Sequence, residues 1–259
     1  MKNLMNSRLK FAVFITLIIV LFMTVPVSAE PALQIPKIGI DIGPAKQPQE
    51  AAATVQIILI LTILSIAPAI LVMMTSFTRI IIILSFLRSA LGTQQMPPNQ
   101  VLIGFAMFLT FFIMSPVFIQ INDQAYGPFM KGQITQNVAF AKAEAPIKDF
   151  MLKQIKSDKD LLLFIKMSKM DSTKVEKAKL PLTVVIPAFM INELKIAFQI
   201  GFLLFIPFLV IDMVVSSTLM AMGMMMLPPS MISLPFKILL FIMVDGWNLI
   251  TQTIIMGFR

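Results

Sequence analysis

Three stretches of this chain run for more than twenty residues without a charge; the third, 213–236, is cut by a Met run and a Pro pair, and the first two are continuous. Of those two, one extends from Ala51 to Thr78, the other from Ser89 to Asn122 with an apolar core from Val101 to Ile121. A helix needs about 20 mostly apolar residues to cross a hydrocarbon layer. Each stretch is long enough, so the predicted class is an all-α membrane protein. The whole chain agrees: 58% of its 259 residues are hydrophobic and only 13% are charged, against roughly 25% charged in soluble domains. The net charge of +8 comes without a clustered basic stripe in the apolar half, which argues against a nucleic-acid partner. There is no Cys and no His. Thiol catalysis, disulfides and the usual zinc and haem ligands are therefore not expected.

The first residues read as a secretory signal. Lys2, Arg8 and Lys10 form a basic start, Phe11 to Met23 an apolar stretch, and Pro26 to Ala29 a small-residue cleavage site. Residues 1–29 are the predicted signal peptide, with an uncleaved anchor as the alternative. Residues 30–50, punctuated by Pro31, Pro36, Gly39, Gly43, Pro44 and Pro48, read as an irregular segment. Residues 51–122 hold the two apolar regions. Arg79, Arg88, Gly92 and Pro97-Pro98 lie between the regions, in what reads as a short loop. Its arginines favour the cytoplasmic side, which agrees with a mature N-terminus outside.

Residues 123–185 form a polar block with eleven Lys and seven acids. The topology places it outside, and loops longer than about 60 residues translocate largely regardless of charge. Pro146, Ile147, Phe150, Met151 and Ile155 have helical spacing with Pro near a first turn, and Leu161 to Met167 continues the pattern. This predicts a small helical periplasmic domain that contacts a partner or a neighbouring copy, or else a solvated loop with transient helices.

Residues 186–259 are apolar but interrupted by Glu193, Lys195, Asp212, Lys237 and Asp245. Sixteen uncharged residues separate Lys195 from Asp212, a rise of about 24 Å against about 30 Å of hydrocarbon. Pro68, Pro116, Pro187, Pro207 and Pro235 lie inside apolar regions, where each removes a helix hydrogen bond. Such charges and breaks are tolerated at membrane depth when they face protein or a wet path. The expectation is two broken helical regions around an interior. Seven methionines fall between Met213 and Met231, four of them in Met222-Gly223-Met224-Met225-Met226, which runs into Leu227-Pro228-Pro229. Met is flexible and polarisable and re-packs around changing partners, so this run reads as a soft constriction or an adaptable contact surface.

Several segments resemble the FliP family of export-gate proteins. They are Pro187 to Phe202 (PAFMINELKIAFQIGF), Pro207 to Ser217 (PFLVIDMVVSS) and Met220 to Pro229 (MAMGMMMLPP). Met73 to Arg79, Leu91 to Asn99 and Asp245-Gly246-Trp247 add to the likeness, which covers roughly residues 51–259. The resemblance implies a subunit of the flagellar type III export gate in the bacterial inner membrane, at the flagellar basal body. It implies kinked or broken helical hairpins assembled as a ring of about five copies, with FliQ-type and FliR-type companions, other export components and unfolded protein substrates. Virulence secretion systems use a similar protein, and the signal peptide and Pro228-Pro229 look more like the flagellar branch. It also implies a pore gasket, carried onto Met224, Met225 and Met226 and less directly onto Met222.

No catalytic constellation is present and no cofactor is expected; Gly201 and Gly223 stand alone rather than in a phosphate loop. Asp212 and Asp245 read either as a proton relay or as structural partners between helices, and buried charges favour the second; with Glu193 and Lys195 they are the candidate inter-subunit charges. Glu193 and Lys195, two residues apart, cannot face each other on one helix and are expected to pair between subunits. Phe198, Phe202 and Phe205 have the spacing of a packing face. The alternative function is a secondary transporter using Asp212, Asp245 and Lys195, but the chain has no internal repeat of the kind such carriers show.

Overall fold

A computed structural model describes residues 48–93, 95–168, 176–224 and 226–258. The expectations for the signal peptide and for most of the 30–50 segment lie outside the described residues. So does Met225. The chain divides into two units, residues 1–58 and 59–259. In the first, only the opening turns of helix α1 (Pro48–Met74) are described; everything below concerns the second.

Among the described residues every regular element is a helix and none is a strand. After α1 come α2 (Phe77–Leu91) and α3 (Asn99–Ile121). A π-helical turn, Asn122–Tyr126, and a short α4 (Gly127–Met130) continue α3 into one apolar rod. Helices α5 (Gln136–Gln154) and α6 (Asp158–Met167) come from the polar block. Then follow α7 (Leu182–Ala221), α8 (Pro229–Met243) and α9 (Gly246–Met256). Asn99–Met130 and Leu182–Ala221 are each long and apolar enough to cross a membrane, and α8 with α9 would make a third span bent by 64°. In α1 the corresponding apolar stretch, Ile57–Ile70, is shorter.

The centre of the unit is α2, the segment read from sequence as an inter-span loop. Ile80, Ile83, Leu84, Leu87 and Leu91 are buried on it at helical spacing. They meet Leu102, Ala106 and Leu109 of α3, Ala197 and Phe208 of α7, Phe241 of α8, and Ile250 and Ile254 of α9. The correction has a local cause. From Phe77 to Leu91 nothing breaks a helix, and Gly92 then stops it in the left-handed conformation at φ 76°. Arg79 and Arg88 sit inside that helix, so Arg79 says nothing about which side a loop faces.

The helices of the polar block pack against the start of α7. Met151 of α5 and Leu161 and Ile165 of α6 share a core with Met74, Val184, Val185, Ala188 and Phe189. Helix α5 begins ten residues before Pro146, which lies in its interior. Helix α7 is not broken. It is one helix of 40 residues with Pro187 and Pro207 inside it, about 60 Å long. The expected break falls instead between α8 and α9. There Asp245 takes the left-handed conformation at φ 50°, one that Asp tolerates better than most residues. A Cβ on Gly246 would lie 2.2 Å from the Phe241 ring, and Trp247 packs edge-on against that ring at 5.5 Å.

Contact between α2 and α7 is set by one glycine. A Cβ at Gly201 would come within 2.5 Å of the Phe86 ring. Phe86 also packs edge-on against Phe198 and Phe205. Phe198 and Phe205 thus touch α2, although Phe198, like Phe202, keeps more than half of its surface exposed. Gly201→Val should cost about 1–3 kcal/mol through overpacking, read as a lower unfolding temperature in detergent. A Phe86→Ala change in the same chain should recover part of that loss; no recovery would show the strain lies elsewhere.

Candidate functional site

Charges inside apolar helices are the first places to look for function. Each of the four acidic and basic positions singled out from sequence has a partner within the described residues. Glu193 meets Arg79. Arg79 Nε donates to Glu193 Oε2 at 2.8 Å and Arg79 Nη2 to Oε1 at 2.5 Å. Both side chains are 1% exposed or less. The rest of the guanidinium is bonded too. Nη1 donates to the Gly257 carbonyl at 2.9 Å, Nη2 also to Gln154 Oε1 at 3.3 Å, and the Phe258 ring lies 3.8 Å from the guanidinium carbon. Gln154 Nε2 donates to the Phe258 carbonyl, and Asn192 Nδ2 to the Gln154 carbonyl. The backbone N–H of Lys156 donates to Asn192 Oδ1. One cation therefore ties α2, α5, α7 and the residues after α9 together.

Lys195 donates to both Asp160 oxygens at 3.0 and 2.9 Å, joining α7 to α6. Glu193 and Lys195, expected to pair between subunits, each have a counter-charge in their own chain, on a helix packed against α7. Asp212 is held in the same way. Ser233 Oγ donates to one of its oxygens at 2.5 Å and Lys237 Nζ to the other at 2.6 Å. Lys237 is buried. Asp245 differs. It is exposed at the α8–α9 bend and accepts a bond from Asn248. Asp212 and Asp245 are not joined to each other among the described residues, so they form no relay pair here.

The Met run occupies the turn between α7 and α8. The end of α7 is a Schellman motif: Met224 N donates to Leu219 O and Gly223 N to Met220 O, both at 3.0 Å. Gly223 supplies the left-handed residue that this motif needs, at φ 72°. Pro228 then precedes α8 and Pro229 is its first residue, a favoured place for proline. The sequence thus stops one helix and starts the next within a few residues. Met222, Met224 and Met226 are all exposed on that turn. The Asp212–Lys237 pair crosses the two helices some ten residues back from Met222 on one side, and a similar distance on the other. It pins the stem on which the Met turn sits.

Sequence reasoning missed Arg79, Gln154, Asp160 and Lys237 as members of these sites. The signal for Arg79 was available: it stands inside an unbroken apolar run, where a lone arginine needs a buried partner.

Long apolar helices with their charges paired internally, around an exposed apolar turn, define an all-helical membrane protein. A profile of the FliP family matches residues 60–254. The chain is 58% identical to the flagellar biosynthetic protein FliP of Bacillus subtilis over 220 residues, 85% of this chain and 98% of that one. It is 52% identical to FliP of Pectobacterium carotovorum over 210 residues, 81% of each chain. With FliP of Aquifex aeolicus the identity is 46% over 228 residues, 87% of this chain and 93% of that one. The chain belongs to the FliP family.

Removing one member of a buried pair leaves the other charge uncompensated, at a cost of about 3–5 kcal/mol. Glu193→Ala should therefore sharply reduce the amount of folded protein in membranes. Arg79→Lys should restore little in its own right, because an ammonium cannot make the paired bonds. An Arg79→Met, Glu193→Met double variant should recover most of the loss. Equal loss in the double and single variants, measured by detergent unfolding, would count against the pair as described.

Proposed function

We propose that this chain is a pore-forming subunit of the flagellar type III protein export gate. Several copies, with FliQ-type and FliR-type companions, surround a path for unfolded flagellar subunits across the bacterial inner membrane. The polar helices α5 and α6 lie on the periplasmic side. Met222, Met224, Met225 and Met226 form the gasket. Family membership supports the export role. The observation that carries the gasket is local: a short turn, bounded by Gly223 and Pro228, presents Met222, Met224 and Met226 outward at the tip of a pinned helical hairpin. Thioether side chains can close on one another without water, and apolar constrictions gate by dewetting. The same side chains yield to varied polypeptide because Met has three rotatable bonds and a soft sulfur.

A solute transporter would need free charges at membrane depth. Asp212 and Lys195 are instead held by Lys237 and Asp160, which weighs against that reading. Asp245, exposed at a bend, has no ion-pair partner among the described residues and is open to a contact with another copy.

Replacing Met224, Met225 and Met226 with Ala should let ions and small solutes leak through the assembled gate while export continues. The measurement is conductance or dye release in membranes that contain the complex. Unchanged leak with the variant complex fully assembled would remove the gasket role.

A further inference from the structure

An open apolar cavity of about 250 Å³ lies between α5 and the end of the rod formed by α3, the π-helical turn and α4. Ala125, Tyr126 and Phe129 line it from the rod, and Ala139, Phe140 and Ala143 from α5. A π-helical turn is rare and often marks a functional place. This one leaves no slack at Gly127, where a Cβ would lie 3.0 Å from the Asn122 carbonyl oxygen. Of the lining side chains only Gln136 and Tyr126 carry polar atoms. A water there would find few partners, so the space favours an apolar occupant.

We infer that this cavity seats one acyl chain of an anionic phospholipid. Its position is the first ground. Residues 101–121 of the rod rise about 30 Å, one hydrocarbon thickness, which puts the cavity beyond Ile121 at the level of the headgroups. It continues the apolar surface of the same rod, where Phe111, Phe112, Phe118 and Ile119 are exposed. Tyr126, the one tyrosine of the chain, stands at the depth where tyrosine is enriched. Charge is the second ground. Lys131 directly follows the rod and Lys142 precedes Ala143. Both are exposed, and neither has an ion-pair partner among the described residues. Asp123 is the only acid between residues 121 and 143, so the segment keeps a positive excess that suits a lipid phosphate. A Lys stem can lie along an apolar wall while its ammonium reaches the headgroup. The inference rests on Asn99–Met130 crossing the membrane and is independent of the Met turn.

The test uses the full chain purified from membranes in mild detergent, with whatever copies and companions accompany it. It is reconstituted into vesicles of phosphatidylcholine and phosphatidylglycerol. The probe is phosphatidylglycerol with a photoactivatable diazirine on one acyl chain, and peptide mass spectrometry reads the label. Residues 121–143 should take several-fold more label from this probe than from its phosphatidylcholine counterpart. Ala139→Leu with Ala143→Leu fills the cavity and should cut that labelling several-fold, while labelling at Phe111 and Phe112 stays at the native level. Lys131→Gln with Lys142→Gln leaves the walls intact and should remove the headgroup preference. Those two side chains are exposed, so this variant carries the test if the leucine chain does not fold. Equal labelling of residues 121–143 in native and leucine chains, or no headgroup preference in the native chain, would overturn the inference. So would label at Phe111 and Phe112 with none at the cavity, the result expected if another copy or a companion fills it. If Phe111 and Phe112 take no label either, the reading of the rod as a membrane span falls, and the lipid site with it.

Discussion

A guanidinium cannot shed its proton at any ordinary pH, so a buried arginine must be surrounded by acceptors. That requirement organises this fold. Arg79 is fully enclosed and is bonded to Glu193, Gln154 and the Gly257 carbonyl. Those partners come from α7, from the end of α5 and from beyond α9, three places far apart in sequence. None of them reaches Arg79 unless α2 is at the centre with the other helices around it. Apolar helices slide on one another at little cost, since many registers bury similar area. The directional bonds at Arg79 select one of them. Such specificity is the best-attested use of a buried charge, given that its net stabilising effect is often small.

The hairpin of α7 and α8 shows the same division of labour on a smaller scale. Backbone chemistry makes the turn: a left-handed Gly223 stops one helix and Pro229 starts the other. Asp212, Ser233 and Lys237 then hold the two stems together. Pinned stems leave Met222, Met224 and Met226 exposed on the turn rather than packed into the core. A longer or unpinned loop could collapse onto its own helices and present no defined surface.

Much of this was legible in the sequence, and the failures have physical causes. Helical class, the long apolar stretches and the stop at the Met run all follow from composition, spacing and the Gly and Pro positions. Central placement of α2 was not legible because two arginines made a fifteen-residue helix look like a loop. Charge near an apolar stretch has two solutions, water or a partner, and a single sequence does not say which. The same ambiguity led to the expectation that Glu193 and Lys195 pair between copies. Their partners, Arg79 and Asp160, lie 114 and 35 residues away in the chain, beyond any local pattern. Pro187 and Pro207 were read as breaks, yet α7 runs through both. Each proline removes one hydrogen bond, and the neighbours along a long apolar helix keep the rest. At the α8–α9 bend the left-handed Asp245 is a stronger punctuation than Pro235, which α8 also tolerates.

These pairings also decide whether α7 can lie at membrane depth at all. Sixteen uncharged residues between Lys195 and Asp212 cover about 24 Å, less than the roughly 30 Å of a hydrocarbon core. An upright α7 that crosses such a core must carry at least one of these charges into it. A lone charge there costs about 2.5–3.5 kcal/mol even on the gentlest scale, and the helix would shift along its axis to escape. Asp212 with Lys237 and Ser233, and Glu193 with Arg79, enter instead as neutral, hydrogen-bonded units. Their partners sit on α8 and α2, so neutrality exists only after those helices have packed. Membrane depth for α7 is thus a property of the folded chain, acquired when α2 and α8 close on it, rather than of the segment by itself.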